Sequence, residues 1–142
     1  MLVGSLKASV VFLSDLSRAM RVHHWLDFIE LSGYGPGAEL GGRKGVRLIK
    51  DLDVDIVGRH VLLVQNVIDT GLTLNYVVRS LALRRPASMA IVTLLDRPYR
   101  RLVADLPVRY VGFTVPDILF VGYGFDLDDR YRNLPDLRVI RE

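Results

Sequence analysis

The stretch Val61–Leu74, VLLVQNVIDTGLTL, decides the fold: an apolar run enters an Asp-Thr-Gly turn and then takes on helical periodicity. A continuous run of apolar, largely β-branched residues is typical of a strand covered on both faces. The turn Asp69-Thr70-Gly71 opens a helix whose first N–H groups have no partner inside the helix, and Thr73 adds a hydroxyl there. Such amides bind anions, so the stretch predicts a phosphate site, with a plain N-cap by Asp69 or Thr70 as the alternative.

Strand and helix signals alternate along the rest of the chain. Helical spacing of apolar residues predicts helices over 8–20 and 72–84. Apolar runs and alternation predict strands over 25–31, 46–49, 61–67, 89–95, 108–113 and 119–123. We expect Trp25 in the core at the first strand start, and a flexible loop over 32–45. This order predicts an α/β domain with a mostly parallel sheet flanked by helices, whose ligands lie beyond the carboxyl ends of the strands.

Composition indicates one globular unit. The chain has 142 residues, 50% of them hydrophobic, and no cysteine, which excludes disulfides and thiolate chemistry. No apolar run approaches the roughly 18 residues that span a bilayer. The net charge of +3 comes from 19 basic and 16 acidic residues that are scattered along the chain and form no basic stripe. We therefore expect a single domain over 1–142 that is cytoplasmic and has neither a nucleic-acid nor a membrane partner.

Two further polar clusters follow apolar strands. Leu94–Pro98 places the charged pair Asp96-Arg97 at the end of one apolar strand, and Val121–Asp126 places a carboxylate just after the predicted strand over 119–123. Because the carboxyl ends of parallel strands share one edge of the sheet, we expect both clusters beside the Asp69 turn.

Together, these motifs resemble the hypoxanthine-guanine phosphoribosyltransferases of the bacterial type in order and spacing. The segments that carry the resemblance are Lys50-Asp51-Leu52, Val61–Thr73, Leu94–Pro98, Tyr110–Phe113, Pro116-Asp117, Val121–Asp126 and Tyr131–Pro135. The resemblance implies a type I phosphoribosyltransferase-like fold with a small C-terminal hood. It also implies transfer of a purine base to 5-phosphoribosyl-1-diphosphate with Mg²⁺, which gives GMP or IMP and pyrophosphate.

The resemblance also implies roles at the turn and beside the base. The family's 5′-phosphate loop corresponds to Asp69, Thr70, Gly71, Leu72 and Thr73. Asp69 also matches the carboxylate near the purine N7, where it could take or share the base proton. Arg97 matches a position, usually lysine, that donates to the 6-oxo group, and the alternative for Arg97 is a solvated surface side chain.

The resemblance also implies which residues bind the diphosphate and which contact the face of the purine ring. Asp126 matches a carboxylate that helps hold Mg²⁺, while Arg132 and the loop at Leu6-Lys7 match contacts to the diphosphate. Leu119 lies at the family's aromatic stacking position and Phe120 one residue later. Adjacent strand residues point to opposite faces, so Phe120 is expected in the core. The three histidines match no catalytic position and are expected at the surface or in packing.

Three departures from the family bear on turnover. Gln65-Asn66 replaces an acidic Glu-Asp pair that binds the ribose hydroxyls, and the loss of negative charge is expected to lower turnover more than binding. Ser32-Gly33-Tyr34 lacks the serine adjacent to tyrosine at the tip of the closing loop. Relatives also have a helix and a strand ahead of the segment that leads to Lys7, so the chain is either truncated or naturally short.

Two hypotheses of different classes follow. The first is a purine phosphoribosyltransferase with slow turnover, acting as a homodimer or homotetramer. The second is a relative that binds a nucleotide or phosphoribosyl ligand without turnover, as a regulatory or partner subunit. A nucleic-acid-binding role has the least support, because no aromatic platform accompanies the basic residues.

Overall fold

The structure is a computed structural model that describes residues 1–32 and 46–140, and a six-stranded sheet forms its centre. The strands of this sheet are β1 (Leu2–Ser5), β2 (Leu26–Ser32), β3 (Arg47–Lys50), β4 (His60–Ile68), β5 (Ser88–Asp96) and β6 (Val108–Thr114). The helices are α1 (Val10–Ala19), α2 (Leu72–Ala82) and a short 3-10 helix (Pro98–Arg100). Two short strands, β7 (Phe120–Val121) and β8 (Arg138–Val139), form a separate antiparallel pair.

The sheet order is β3-β2-β1-β4-β5-β6. All neighbouring pairs are parallel except β2 and β3, which are antiparallel. The chain runs outward from β1 to β2 on one side and from β4 to β5 on the other, so the winding reverses between β1 and β4. A crevice forms at such a reversal, beyond the carboxyl ends of the two strands. The predicted mostly parallel α/β sheet is confirmed.

The two helices cover opposite faces of this sheet. Leu13 of α1 packs with Leu2 and Val64, whereas Leu81 of α2 packs in a cluster with Leu63 on the other face. Leu63 and Val64 are adjacent in β4, and adjacent strand residues point to opposite faces. This two-sided burial explains why the β4 sequence is continuously apolar instead of alternating.

The predicted strand over 119–123 is wrong in its place and length. Only Phe120–Val121 is extended, and it pairs with Arg138–Val139 instead of joining the main sheet. The chain turns after β6 ends at Thr114, where Pro116 has no N–H group to continue a ladder and its carbonyl accepts from the Ile118 amide at 2.9 Å. Asp126 therefore belongs to a small C-terminal hood and not to the edge of the six-stranded sheet.

Trp25 is not a core residue, and that prediction is wrong. Its side chain is 58% exposed, directly before β2 begins, and the Arg59 guanidinium lies 4.9 Å from its ring centroid. A guanidinium on an indole face is a favourable cation–π contact at the surface. Trp25 thus packs against an arginine at the surface and not against the core.

The histidines lie where the sequence analysis expected them. His24 contacts the Ser17 hydroxyl at 2.8 Å, and His60 contacts the Ser88 hydroxyl at 2.8 Å. Most of the predicted loop over 32–45, including Gly33 and Tyr34, lies outside the described residues. Neither α1 nor α2 is long and apolar enough to cross a membrane, as judged on the described part of the chain.

Candidate active site

The turn between β4 and α2 has the geometry of an anion-binding helix start. Gly71 is the N-cap of α2 with φ +82°, and no side chain caps the helix. The closest approach is Thr70 Oγ1, which accepts from the Leu72 amide at a long 3.4 Å. The plain N-cap by Asp69 is therefore not observed. The first amides of α2 stay available to a ligand, which is favoured there by the helix dipole.

A cleft of about 140 Å³ opens at this turn. Its wall combines the turn and the start of α2 with Ser5 at the end of β1 and Gln65 in β4. The cleft thus lies at the reversal between β1 and β4, as expected for a ligand site in an open α/β sheet. Asp69, Thr70, Gly71 and Thr73 all line it, so these predicted residues are brought together.

The neutral pair Gln65-Asn66 is anchored by amide hydrogen bonds. Gln65 Nε2 donates to Ser5 Oγ at 2.7 Å, and Asn66 Oδ1 accepts from the Val67 amide at 2.9 Å. Asp69 contributes the only carboxylate among the residues that line the cleft in the described part of the chain. The cleft is therefore poor in negative charge, which suits a dianionic ligand.

The Asp69 carboxylate faces two arginines. Arg100 Nε lies 3.2 Å from Asp69 Oδ1, and Arg97 Nη1 lies 3.9 Å from Asp69 Oδ2. Asp117 completes the ring, with its Oδ1 3.1 Å from Arg100 Nη1 and 4.0 Å from Arg97 Nη1. The sequence analysis quoted Pro116-Asp117 among the segments that carry the resemblance but gave Asp117 no role, and it missed Arg100, which follows the quoted Leu94–Pro98.

Arg97 is not a solvated surface residue. Its side chain is only 11% exposed, and Nη2 donates to the Ile118 carbonyl at 2.5 Å. The guanidinium carbon lies 5.8 Å from the Phe120 ring centroid, which is within cation–π range. Among the described residues, the carboxylates nearest to Nη1 lie 3.9 and 4.0 Å away, beyond hydrogen-bond range, so Nη1 can still donate to a ligand acceptor.

Phe120 is half-buried and does not belong to the main core. It packs on Phe125 with ring centroids 6.5 Å apart, on the side of the hood that meets Arg97. Leu119, at the position expected against a purine, is 47% exposed. The core assignment of Phe120 is wrong because β7 pairs with β8 and not with the main sheet, so the ring packs between Arg97 and Phe125.

A chain of ion pairs joins the hood to the loop after β1. Lys7 Nζ lies 3.3 Å from Asp129 Oδ1, Arg132 Nη2 lies 2.9 Å from the same atom, and Arg132 Nη1 lies 2.9 Å from Asp126 Oδ1. Hydrogen bonds from Arg132 and then Lys7 hold the pKa of Asp129 below its usual range. The structure thus brings Lys7, Arg132 and Asp126 together, and their role at a diphosphate site stays a prediction.

The Asp126 carboxylate fits a metal ion that binds together with a phosphate-bearing ligand. Asp126 Oδ2 also accepts from the Asp129 amide at 2.9 Å, and a carboxylate has acceptor sites beyond those in use here. No group of three metal-binding side chains occurs among the described residues. Mg²⁺ is commonly held by one or two carboxylates plus substrate phosphates, and Asp126 meets that requirement.

A third arginine, Arg101, contacts the turn on its far side and was also missed. Arg101 Nε donates to the Asp69 carbonyl at 3.2 Å, while its Nη2 is paired with the Asp96 carboxylate at the end of β5. The sequence showed only a basic pair, Arg100-Arg101, and no periodicity distinguishes the side chain that faces the cleft from the one beneath it.

Comparison with known proteins agrees with this geometry. A model of the phosphoribosyl transferase domain matches residues 1–129. The chain is 50% identical over 134 residues to a hypoxanthine phosphoribosyltransferase of Salmonella typhimurium, covering 94% of this chain and 74% of that protein. It is 42% identical over 139 residues to a hypoxanthine-guanine phosphoribosyltransferase of Bacillus subtilis, covering 98% and 76%.

Solved structures give the same result. A hypoxanthine-guanine phosphoribosyltransferase of Bacillus anthracis superposes with a TM-score of 0.89 at 42% identity, over 99% of this chain and 81% of that one. The hypoxanthine phosphoribosyltransferase of Trypanosoma cruzi superposes with a TM-score of 0.87 at 39% identity, over 99% and 75%.

Proposed function

This chain belongs to the phosphoribosyl transferase family, and we propose that it transfers a 6-oxopurine base to 5-phosphoribosyl-1-diphosphate. The products are a purine nucleoside monophosphate, GMP or IMP, and pyrophosphate, which is a purine salvage reaction. One set of contacts supports the proposal: Asp69 lines the cleft at the reversal between β1 and β4, Arg97 Nη1 lies 3.9 Å from Asp69 Oδ2, and Lys7, two residues after β1 ends, is joined to the hood through Asp129. Each part of the substrates has a complementary group there.

The 5′-phosphate belongs at the turn. The amides at the start of α2 and the hydroxyls of Thr70 and Thr73 would donate to its oxygens, and Gly71 allows the turn its φ of +82°. Leu72 contributes its backbone amide. These donors would bind the phosphate without a direct contact from a lysine or arginine side chain.

The base belongs between Asp69 and the hood. Asp69 would take or share the proton of the purine N7 as the glycosidic bond forms at N9, and Arg97 Nη1 would donate to the 6-oxo group. The contacts of Arg97 to Ile118 and Phe120 support this, because they fix the guanidinium before the base arrives. Leu119 and Phe120 then give the purine face an apolar neighbour.

The diphosphate belongs at the other end of the crevice. Lys7 and Arg132 would neutralise the leaving pyrophosphate, with Asp126 holding Mg²⁺ on its oxygens. When bound, the ion withdraws charge from the leaving group. Lys7 and Arg132 release Asp129 as they engage the substrate, since both now bond that one carboxylate.

The ribose faces Gln65 and Asn66. Their amide groups can hydrogen-bond hydroxyls, but they supply no negative charge to a developing oxocarbenium ion. We therefore propose that turnover is slow. A role as a binder without turnover is not favoured, because the relatives that match over most of this chain are named as transferases.

We further propose assembly as a homodimer or homotetramer. Tyr110 and Phe113 of β6 are 53% and 63% exposed, at the edge of the described sheet. Exposed aromatic residues on an edge strand favour association. Light scattering after size-exclusion chromatography tests this, and a monomeric mass at micromolar concentration would contradict it.

A steady-state spectrophotometric assay tests the function. Hypoxanthine, guanine and xanthine are supplied separately with the diphosphate sugar and Mg²⁺, and nucleotide formation is followed at high enzyme concentration. We expect product from at least one base and none when the sugar is omitted. The absence of product with all three bases would contradict the proposal.

A further inference from the structure

The Asp69–Gly71 turn has no capping side chain, so other contacts must fix its shape. Three successive carbonyls in this region are held from behind by residues 97–102. The Ile68 carbonyl accepts from the Arg97 amide at 3.1 Å, the Asp69 carbonyl from Arg101 Nε at 3.2 Å, and the Thr70 carbonyl from the Leu102 amide at 2.9 Å. Two of these donors belong to the backbone, and Arg101 supplies the third with its side chain.

Holding a carbonyl also aims the next amide. In a trans peptide the C=O and the following N–H point in opposite directions. The Asp69 carbonyl points toward Arg101, so the Thr70 N–H points away from it, toward the ligand side of the turn. The same relation holds for the Thr70 carbonyl and the Gly71 N–H. Contacts on the far side of the turn thus set the direction of the donors on its near side.

Arg101 is itself firmly held. Its side chain is 18% exposed and pairs with the Asp96 carboxylate, which is 17% exposed. A Cβ added at Gly71 would lie 3.2 Å from Arg101 Cδ, so the arginine stem runs directly beneath the turn. The guanidinium is therefore placed by β5 and presented to the Asp69 carbonyl, away from any ligand.

We propose that Arg101 is a positioning residue for the 5′-phosphate: anchored by Asp96, it holds the Asp69 carbonyl so that the turn amides face the phosphate. This inference rests on the proposed function, in which the turn binds that group. It assigns Arg101 no contact with base, sugar or diphosphate. Its effect therefore falls on ligands that carry a 5′-phosphate.

Calorimetric titration with GMP and with guanosine tests the proposal. In Arg101→Met we expect GMP affinity to fall by about tenfold or more, and guanosine affinity to stay the same. Arg101→Lys keeps a donor and should recover part of the loss. Arg109→Met removes an equal charge from the exposed face of β6 and should bind GMP as the wild type does.

The outcomes separate the alternatives. Wild-type affinity for GMP in Arg101→Met would overturn the proposal, and so would an equal loss of GMP and guanosine, because a merely structural role predicts that. If Arg101→Met does not fold, Asp96→Asn keeps the arginine and weakens its anchor, and it should lower GMP affinity alone. A wild-type protein that binds neither GMP nor the diphosphate sugar would instead overturn the proposed function.

Discussion

Gln65 Nε2 and Ser5 Oγ are 2.7 Å apart, and this hydrogen bond joins β4 to β1 at the point where the winding of the sheet reverses. The contact places a neutral amide where the resemblance to the family calls for a carboxylate. Gln65 thus ties β4 to β1, and neither Gln65 nor Asn66 adds negative charge beside the cleft.

Restoring that charge should raise turnover. In the double variant Gln65→Glu, Asn66→Asp, we expect kcat to rise by about tenfold or more, because carboxylates stabilise a cationic transition state better than amides. GMP affinity should change less, since the phosphate turn is untouched. The Ser5 hydroxyl can reverse its role and donate to the carboxylate introduced at position 65. Each single variant serves as a control, and an unchanged or lower kcat in the double variant would contradict the electrostatic account.

Arg97 should matter for the base and not for the sugar. Replacing it with Met removes a charged donor, so kcat/KM for hypoxanthine should fall by on the order of tenfold to a hundredfold, while KM for the diphosphate sugar stays near the wild-type value. Arg97→Lys retains a donor and should lose less. If Arg97→Met matches the wild type in kcat/KM, the arginine does not contact the base.

Gly71 should be intolerant of a side chain. At φ +82°, Gly71→Ala adds backbone strain of about 1–2 kcal/mol at the turn, and its Cβ lies 2.9 Å from Leu106 Cδ1, so the leucine side chain must move. We expect a lower free energy of unfolding and weaker GMP binding. Gly58→Ala is a matched control, because Gly58 has φ +66° with no atom within 4 Å of the added Cβ. Gly58→Ala should lower the free energy of unfolding without changing GMP affinity. An equal loss of GMP affinity in Gly58→Ala and Gly71→Ala would refute the role of the turn.

Tyr123 makes stability depend on alkaline pH. Burial, followed by the hydrogen bond that its hydroxyl donates to Asp15 Oδ2 at 2.5 Å, raises the pKa of Tyr123 to about 12 from 10.0. The folded state thus favours the neutral phenol. This contribution is fully present below pH 10 and is lost as the pH rises to about 12, because the unfolded tyrosine ionises first.

The variant Tyr123→Phe isolates that contribution. At pH 8 the wild type should be more stable by about 1 kcal/mol, the net value of one hydrogen bond. Urea unfolding of both proteins at several pH values should show the difference shrinking between pH 10 and pH 12. A difference that stays constant over that range would show that Tyr123 does not titrate as described.

The sequence predicted the elements whose burial leaves a regular pattern. Continuous apolar residues in β4 and helical spacing in α2 gave both elements and the turn between them, with ends that differ by one or two residues. The same reasoning failed at Phe120–Val121, because the sequence of a two-residue strand does not show whether that strand joins the hood or the central sheet. The prediction failed at Trp25 because a tryptophan ring can pack against an arginine at the surface instead of entering the core.

Side-chain contacts in the site were less predictable than its motifs. The turn residues follow from local sequence, since glycine with φ > 0 and free helix amides are local properties. Arg100 and Arg101 are neighbours in sequence, yet one faces the Asp69 carboxylate and the other its carbonyl. That division depends on how residues 97–102 pack against the turn, which is a long-range property.

A single-turnover experiment tests the central claim most directly. Enzyme in excess is mixed with hypoxanthine, the diphosphate sugar and Mg²⁺, and IMP is quantified by chromatography and mass spectrometry, so that slow turnover cannot hide the chemistry. We predict conversion of hypoxanthine to IMP with one pyrophosphate released for each IMP, slowed about a hundredfold or more in Asp69→Asn. If hypoxanthine, guanine and xanthine all give no nucleotide under these conditions, although the same preparation binds GMP, the chain is not a purine phosphoribosyltransferase and the account is contradicted.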